Sequence, residues 1–258
     1  MFQHYLSDKP AKLFLALTAF FVANALIAEC IGNKLFSLET LLGLPVRPFT
    51  FLGQEGLTYT LTCGVLLWPL EFILTDIINE YYGPRAVRRI SYIAVALIGY
   101  AFIAFFAAIQ MPPDQNYWVG SQREEGIPDM QAAFNGIFGQ SMRIIIGSLV
   151  AFLVSQVLDV WIFHRIKRVT GEKKVWLRAT GSTAISQLLD SFVVLAIAFG
   201  PIWGWQRVLA VGLVNYSYKL TMAVVLTPLI YLAEARIEKY FGKDLTKQLK
   251  AEAMGTAP

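Results

Sequence analysis

Runs of about twenty apolar residues recur along this chain, and they leave it few ways to fold. A hydrocarbon core about 30 Å thick is crossed by roughly 20 helical residues. Inside it every backbone N–H and C=O must be satisfied, which a helix does within its own segment and an open strand does not. Six spans are predicted, at 13–31, 57–81, 90–111, 134–163, 176–199 and 208–237, with Pro69 kinking the second and Pro228 near the inner end of the sixth. Only 16% of the residues are charged, against about 25% in a soluble domain. The expected fold class is an all-α polytopic membrane protein, one six-span domain over 1–240. A short basic cytoplasmic tail, 241–258, follows and is expected to lie on the anionic inner leaflet. Lys9 and Lys12 precede the first run as they would in a signal peptide. That run is long for a signal and holds Asn24 and Glu29, so it is read as a retained span.

The basic residues set the orientation. The N-terminal tail and the segments after the second, fourth and sixth spans carry two, three, six and five lysines and arginines. The alternate segments carry Lys34, Arg47, Arg123 and Arg207. By the positive-inside rule both termini are cytoplasmic, which an even number of spans requires. The same placement accounts for a pI near 9.0 with no nucleic acid as partner. The segment from Lys34 to Gly56 is expected to pack on the outer membrane surface, and 112–131 to form a solvated loop or a lid. Cys30 and Cys63 have no metal or redox spacing, and His4 and His164 are too far apart for a metal site. No cofactor motif, phosphate-cradling glycine loop or nucleophile elbow occurs. The Tyr-Asp and Gly-x-Gly-Asp contexts of intramembrane aspartyl proteases are absent, so no enzyme is expected.

What the spans do contain is charge and amide. An ionisable residue at mid-bilayer costs about 2.5–3.5 kcal/mol on insertion scales and marks a functional site by default. In the fifth span Thr183, Ser186, Gln187 and Asp190 share a stripe, and in the sixth Gly212, Asn215, Tyr216 and Lys219 share another. Asp190 and Lys219 each lie roughly 18 Å into spans of opposite direction, so both fall near the midplane, where neighbouring helices can pair them. Glu71 lies at similar depth, and Arg143 nearer the outer side, with Glu29 as its expected partner. Asp190, Gln187, Asn215, Lys219, Tyr216, Phe72 and Glu71 form the candidate substrate site. A second layer comes from WPLEFILTDIINEYYGPRAVRR, residues 68–89. It sets Asp76 and Glu80 four apart on one helix side with Asn79 beside them, at the end where the macrodipole disfavours negative charge. Asp76, Glu80 and Asp159 with Arg88 and Arg89 (and Arg85, Arg165 and Arg168), together with Arg143, form the candidate gating or coupling set. They are either ion pairs that close the cytoplasmic side or a static bridge between helices.

These segments resemble the queuosine precursor transporters, also called the vitamin uptake transporter (VUT) family. That family's Pro-x-x-Phe-x-x-Thr-Asp, with Glu four beyond, then aromatic-Gly and a basic pair, is met by Pro69, Phe72, Thr75, Asp76, Glu80, Tyr82, Gly83, Arg88 and Arg89. Glu71 departs from it, standing where an uncharged residue is usual. AFNGIFGQSMRI (133–144), SQVLDVWIFHRIK (155–167), LLDSFVVLAIAFG (188–200) and NYSYKL (215–220) extend the resemblance over nearly the whole chain. It implies a multi-pass protein of the bacterial inner membrane that imports 7-deazaguanines such as preQ0 and preQ1, or queuine, without a cofactor.

The residues suit that cargo on separate grounds. A guanine-like edge offers two adjacent N–H donors, which one carboxylate accepts together. Asp190 is assigned that role, with Gln187 and Asn215 on the other edge groups and Tyr216, Tyr218 or Phe72 stacked on the ring. Lys219 donates to the carbonyl or pairs with Asp190 when the site is empty. The alternatives left open are an Asp190–Lys219 strut that never touches substrate, a capture subunit driven by a separate ATPase, an intramembrane enzyme, and an ion channel. The expected partners are the small molecule and the lipid bilayer, and six spans make a bundle small enough to suit a homodimer.

Overall fold

The computed structural model describes residues 8–171 and 174–254; His4, Lys173 and the last four tail residues, all part of the readings above, lie outside that range. Helix α1 (Lys9–Ile31) starts behind Asp8, whose carboxylate accepts from the Ala11 N–H at 3.3 Å, with Pro10 in its first turn. Most of its apolar residues are open to the surroundings and only Phe21, Asn24 and Ala25 are buried, as expected of a helix with lipid on most sides.

The chain then departs from the expected second span. Leu57 does not begin a helix. Residues 35–62 form two antiparallel ribbons around the short helix α2 (Leu38–Leu41): β1 (Leu35–Ser37) pairs with β4 (Thr60–Thr62), and β2 (Phe49–Phe51) with β3 (Gln54–Leu57). The sequence LTYTLT alternates apolar and β-branched residues with period two, a strand pattern that a hydropathy count passes over. Glu39 ties α2 to the β1–β4 ribbon, one carboxylate oxygen accepting from the Tyr59 N–H and the other from the Ser37 hydroxyl, both at 2.8 Å. A 3₁₀ turn (Cys63–Leu66) follows and lies hard against α1. A Cβ on Gly64 would sit 2.8 Å from the Ala28 carbonyl oxygen.

Helix α3 (Trp68–Gln110) holds the signature stretch. Pro69 lies in its first turn, not at a mid-span kink; the missing N–H costs nothing there. The break comes at Gly83 (φ 78°, ψ 177°), which divides the helix into 68–82 and 84–110. The first arm is roughly 22 Å long, shorter than the bilayer core. Gly83 also touches the far end of the chain, since a Cβ there would lie 3.0 Å from the Ala253 carbonyl oxygen. Gly83→Ala is therefore expected to cost about 1–3 kcal/mol for the backbone conformation alone and to push residues 243–254 away. A lower melting temperature with faster proteolysis confined to that segment would register both effects.

The remaining elements are α4 (Met130–Phe138), α5 (Met142–Thr170), α6 (Val175–Trp203), α7 (Trp205–Val225), α8 (Thr227–Phe241) and α9 (Lys243–Met254). The expected fourth span is split at Gly139–Ser141 and runs on to Thr170. The expected sixth is split at Leu226, with Pro228 in the first turn of α8 rather than inside a span. Among the described residues five helices are long and apolar enough to cross a membrane: α1, α3, the α4–α5 pair taken together, α6 and α7. An apolar cluster joins α1, both arms of α3 and α5 through Phe21, Ile78, Val87, Ala94 and Phe152. The tail segment is a helix, α9. Its Leu249 packs with Ile77, Tyr81 and Phe241, so one face of it lies against the protein.

Candidate functional site

Beside its apolar core the interior buries many polar groups, which fall into three levels along the bundle. The uppermost is a cavity of about 370 Å³ between α1, β4, α5, α6 and α7, within the usual range for small-molecule sites. Glu29, Asn33, Thr60, Thr62, Gln140 and Ser148 stand around it, together with Trp68, Asp190, Ser191, Asn215, Tyr218 and Lys219. The Lys219 ammonium is ion-paired with Asp190 Oδ2 and lies over the Trp68 ring at 5.2 Å. The Ser155 hydroxyl donates to the other oxygen, Asp190 Oδ1, at 3.5 Å. Asp190 is 4% exposed and Lys219 9%, so the pair is buried while still bordering the cavity.

Below it lies a separate, constricted void of about 10 Å³, ringed by Trp68, Phe72, Thr75, Phe152, Gln156, Asp159, Ser186 and Gln187. Gln156 Nε2 donates to Thr75 Oγ1 at 3.2 Å and the Ser186 hydroxyl to Asp159 at 3.0 Å. The Gln187 side-chain oxygen, Oε1, has no partner among the described residues.

The third level is an ion cluster around Glu80, at the last turn of the 68–82 arm. Glu80 meets Arg178 at 2.8 Å, Lys167 at 3.0 Å and Lys250 at 3.6 Å. Glu234 of α8 meets Arg178 at 3.7 Å and Lys250 at 3.5 Å, and Glu238 meets Lys250 at 2.9 Å. Arg178 is fully buried. Three cations thus answer a carboxylate placed where the helix dipole disfavours it. Burial works against the charge on Lys250, but Glu238, Glu234 and Glu80 outweigh it and hold the ammonium above the ordinary lysine value of 10.5. A raised folded-state value means this contribution is whole below 10.5 and fades only as pH climbs past the raised value. It is fully present at neutral pH.

The sequence expectations sort clearly against this geometry. The Asp190–Lys219 pairing is found, and Asn215 and Tyr218 border the same cavity. Gln187 and Phe72 fall in the constricted ring, Glu71 in a separate small void, and Tyr216 borders none of these spaces. The expected cationic partners are corrected. Arg85, Arg88 and Arg89 are exposed, and Arg88 Nε donates to the Pro84 carbonyl at 3.3 Å. Arg143 is exposed, and Glu29 accepts instead from the Ser148 hydroxyl at 3.0 Å. Asp159 accepts from Ser186, and both Asp76 oxygens lack a hydrogen-bond partner among the described residues. Asn79 Oδ1 meets His164 Nε2 at 2.7 Å. The partners that sequence reasoning missed are Lys167, Arg178, Glu234 and Lys250. Arg178 and Lys167 sit beside a loop and count there as orientation charges, and their tertiary role left no local signal.

Residues 62–233 match the family model Vut_1, described as "Putative vitamin uptake transporter". The chain is 32% identical over 184 residues to a "Probable queuosine precursor transporter" of Bacillus subtilis, covering 70% of this chain and 74% of that one. It is 26% identical over 171 residues to a "Probable queuosine precursor transporter" of Haemophilus influenzae, covering 64% of each. It is 26% identical over 170 residues to the "Queuosine precursor transporter" of Escherichia coli, covering 64% of this chain and 68% of that one. No solved structure matches.

Proposed function

The chain belongs to the vitamin uptake transporter family, a family of multi-pass membrane transporters and not of enzymes, and from that premise we propose that it imports queuosine precursors of the 7-deazaguanine class across a bacterial inner membrane. Six spans carry it: α1, the two arms of α3, α4–α5, α6 and α7, with both termini cytoplasmic by the positive-inside rule. In that orientation the 370 Å³ cavity opens outward and the Glu80 cluster lies on the cytoplasmic side.

The observation that carries the reading is the Asp190–Lys219 pair at the buried end of an open cavity. A guanine-like edge presents two N–H donors and a carbonyl, the complement of one carboxylate and one ammonium. Incoming base exchanges the internal ion pair for two ligand contacts, so neither charge is stranded when the site fills. Asn215 and the rings of Tyr218 and Trp68 supply the remaining polar and stacking contacts. The constricted ring stops the base from passing further, and the ion cluster beneath holds the inner ends of α3, α5, α6, α8 and α9 together. Transport requires that cluster to part while the outer cavity narrows. The purified chain alone in liposomes is expected to take up labelled preQ1 or preQ0, and excess unlabelled guanine-like base to compete. Uptake that appears only with a separate ATPase would favour a capture subunit instead.

A further inference from the structure

Glu71 and Glu29 border a second, smaller space that the substrate site leaves unused. It measures about 10 Å³; its apolar walls include Ile98, Leu149 and Phe152, its polar ones Asn24, Glu29 and Glu71. Glu71 is 2% exposed. One of its oxygens accepts from Asn24 Nδ2 at 2.8 Å, and the other has no partner among the described residues. Asn24 is itself anchored on the Leu67 carbonyl at 3.1 Å. No ion pair to Glu71 occurs among the described residues. Across the void α1 presents Glu29, while α5 and the 84–110 arm present only apolar groups. Trp68 also lines the void, and the ammonium over its ring, Lys219, is already paired with Asp190.

A lone carboxylate ion in such a wall is costly, and groups so placed neutralise. A space near 10 Å³ is at the lower bound for one water, too small for a hydrated cation. The wall offers far fewer than the six to eight oxygens that a hard metal ion gathers. A proton needs neither room nor further ligands. Glu29 supplies the route, because it borders both this void and the open cavity.

We infer that Glu71 binds the coupling proton of this transporter and that Glu29 delivers it from the outward cavity. The inference rests on the transport function proposed above. The Glu71 carboxylate takes up one proton and becomes the carboxylic acid. When the inner side opens, the acid returns that proton to water; no other bond changes. An uncharged base gains from this the driving force that its own concentration gradient lacks.

The test uses the full chain in liposomes with a pH-sensitive dye trapped inside. At equal pH, with unlabelled preQ0 inside, wild type is expected to exchange labelled preQ0, the deazaguanine that carries no ionised amine. With acid outside, it is expected to accumulate the base by up to about tenfold per pH unit at one proton per base and to acidify the lumen as base enters. Glu71→Gln, which matches the protonated form in shape, is expected to keep exchange within about threefold while losing both accumulation and acidification. Glu29→Gln is expected to slow acidification. Accumulation by Glu71→Gln equal to wild type, accumulation driven by sodium instead of acid, or base entry by wild type with no change in lumenal pH would each overturn the proton site. Failure of wild type to exchange at all would strike the transport reading itself.

Discussion

Asp190→Asn is expected to cut deazaguanine uptake by between about 30-fold and 4,000-fold. That range corresponds to the ~2–5 kcal/mol lost when one member of a buried, hydrogen-bonded charge pair is removed. The amide keeps the side chain's size but turns an N–H₂ toward groups that need an acceptor, the base edge when the site is full and Lys219 when it is empty. It also leaves the Lys219 ammonium, 9% exposed, without its counter-ion, which alone costs about 3–5 kcal/mol of stability. Combining Asp190→Asn with Lys219→Met removes both charges, and is expected to restore much of the melting temperature and none of the uptake. Melting and uptake measured on the same preparations separate the two roles. A double variant that transports like wild type would reduce the pair to a strut between α6 and α7.

The second large effect is expected at the opposite end of the bundle. Glu80→Gln takes the shared carboxylate from Arg178, Lys167 and Lys250. The buried Arg178 keeps only the longer contact to Glu234 at 3.7 Å, and breaking its shorter pair costs up to about 3–5 kcal/mol, which for a chain near this size is a melting decrease of at most roughly 6–20 °C. Lys250→Met is milder, because Glu80 keeps two cations. It still removes the link by which α9 reaches both α3 and α8. If the cluster is a gate, Lys250→Met opens the inner side more often. A cysteine placed at Thr75, in a background without Cys30 and Cys63, then reacts faster with an impermeant thiol reagent supplied from the cytoplasmic face. Lower melting with unchanged labelling would identify a static brace.

Much of this was legible in the residues. Helical class and the burden of a carboxylate at the end of the 68–82 arm follow from spacing and hydropathy, because each depends on one helix at a time, and the Asp190–Lys219 pair follows from matching positions along neighbouring antiparallel helices. The constricting ring was half legible: Phe72, Gln187 and Asp159 were singled out, but not that they meet. What failed was partner choice. Arg88 and Arg89 are the nearest cations in sequence to Glu80, yet Gly83 turns the chain and carries them outward. The cluster is filled instead from α5, α6 and α9, between 87 and 170 residues away. The ribbon at 35–62 was hidden for another reason: Leu57–Thr62 runs straight into the apolar stretch that follows, and only its alternation separates a strand from the start of a span.

The lysine that joins α3 to α8 comes from α9, which follows every membrane span in the sequence. Chains emerge amino end first and their parts settle as they appear. The ionic link between α3 and α8 through Lys250 is therefore completed only after every span has been made, when residues 243–254 dock beside Gly83.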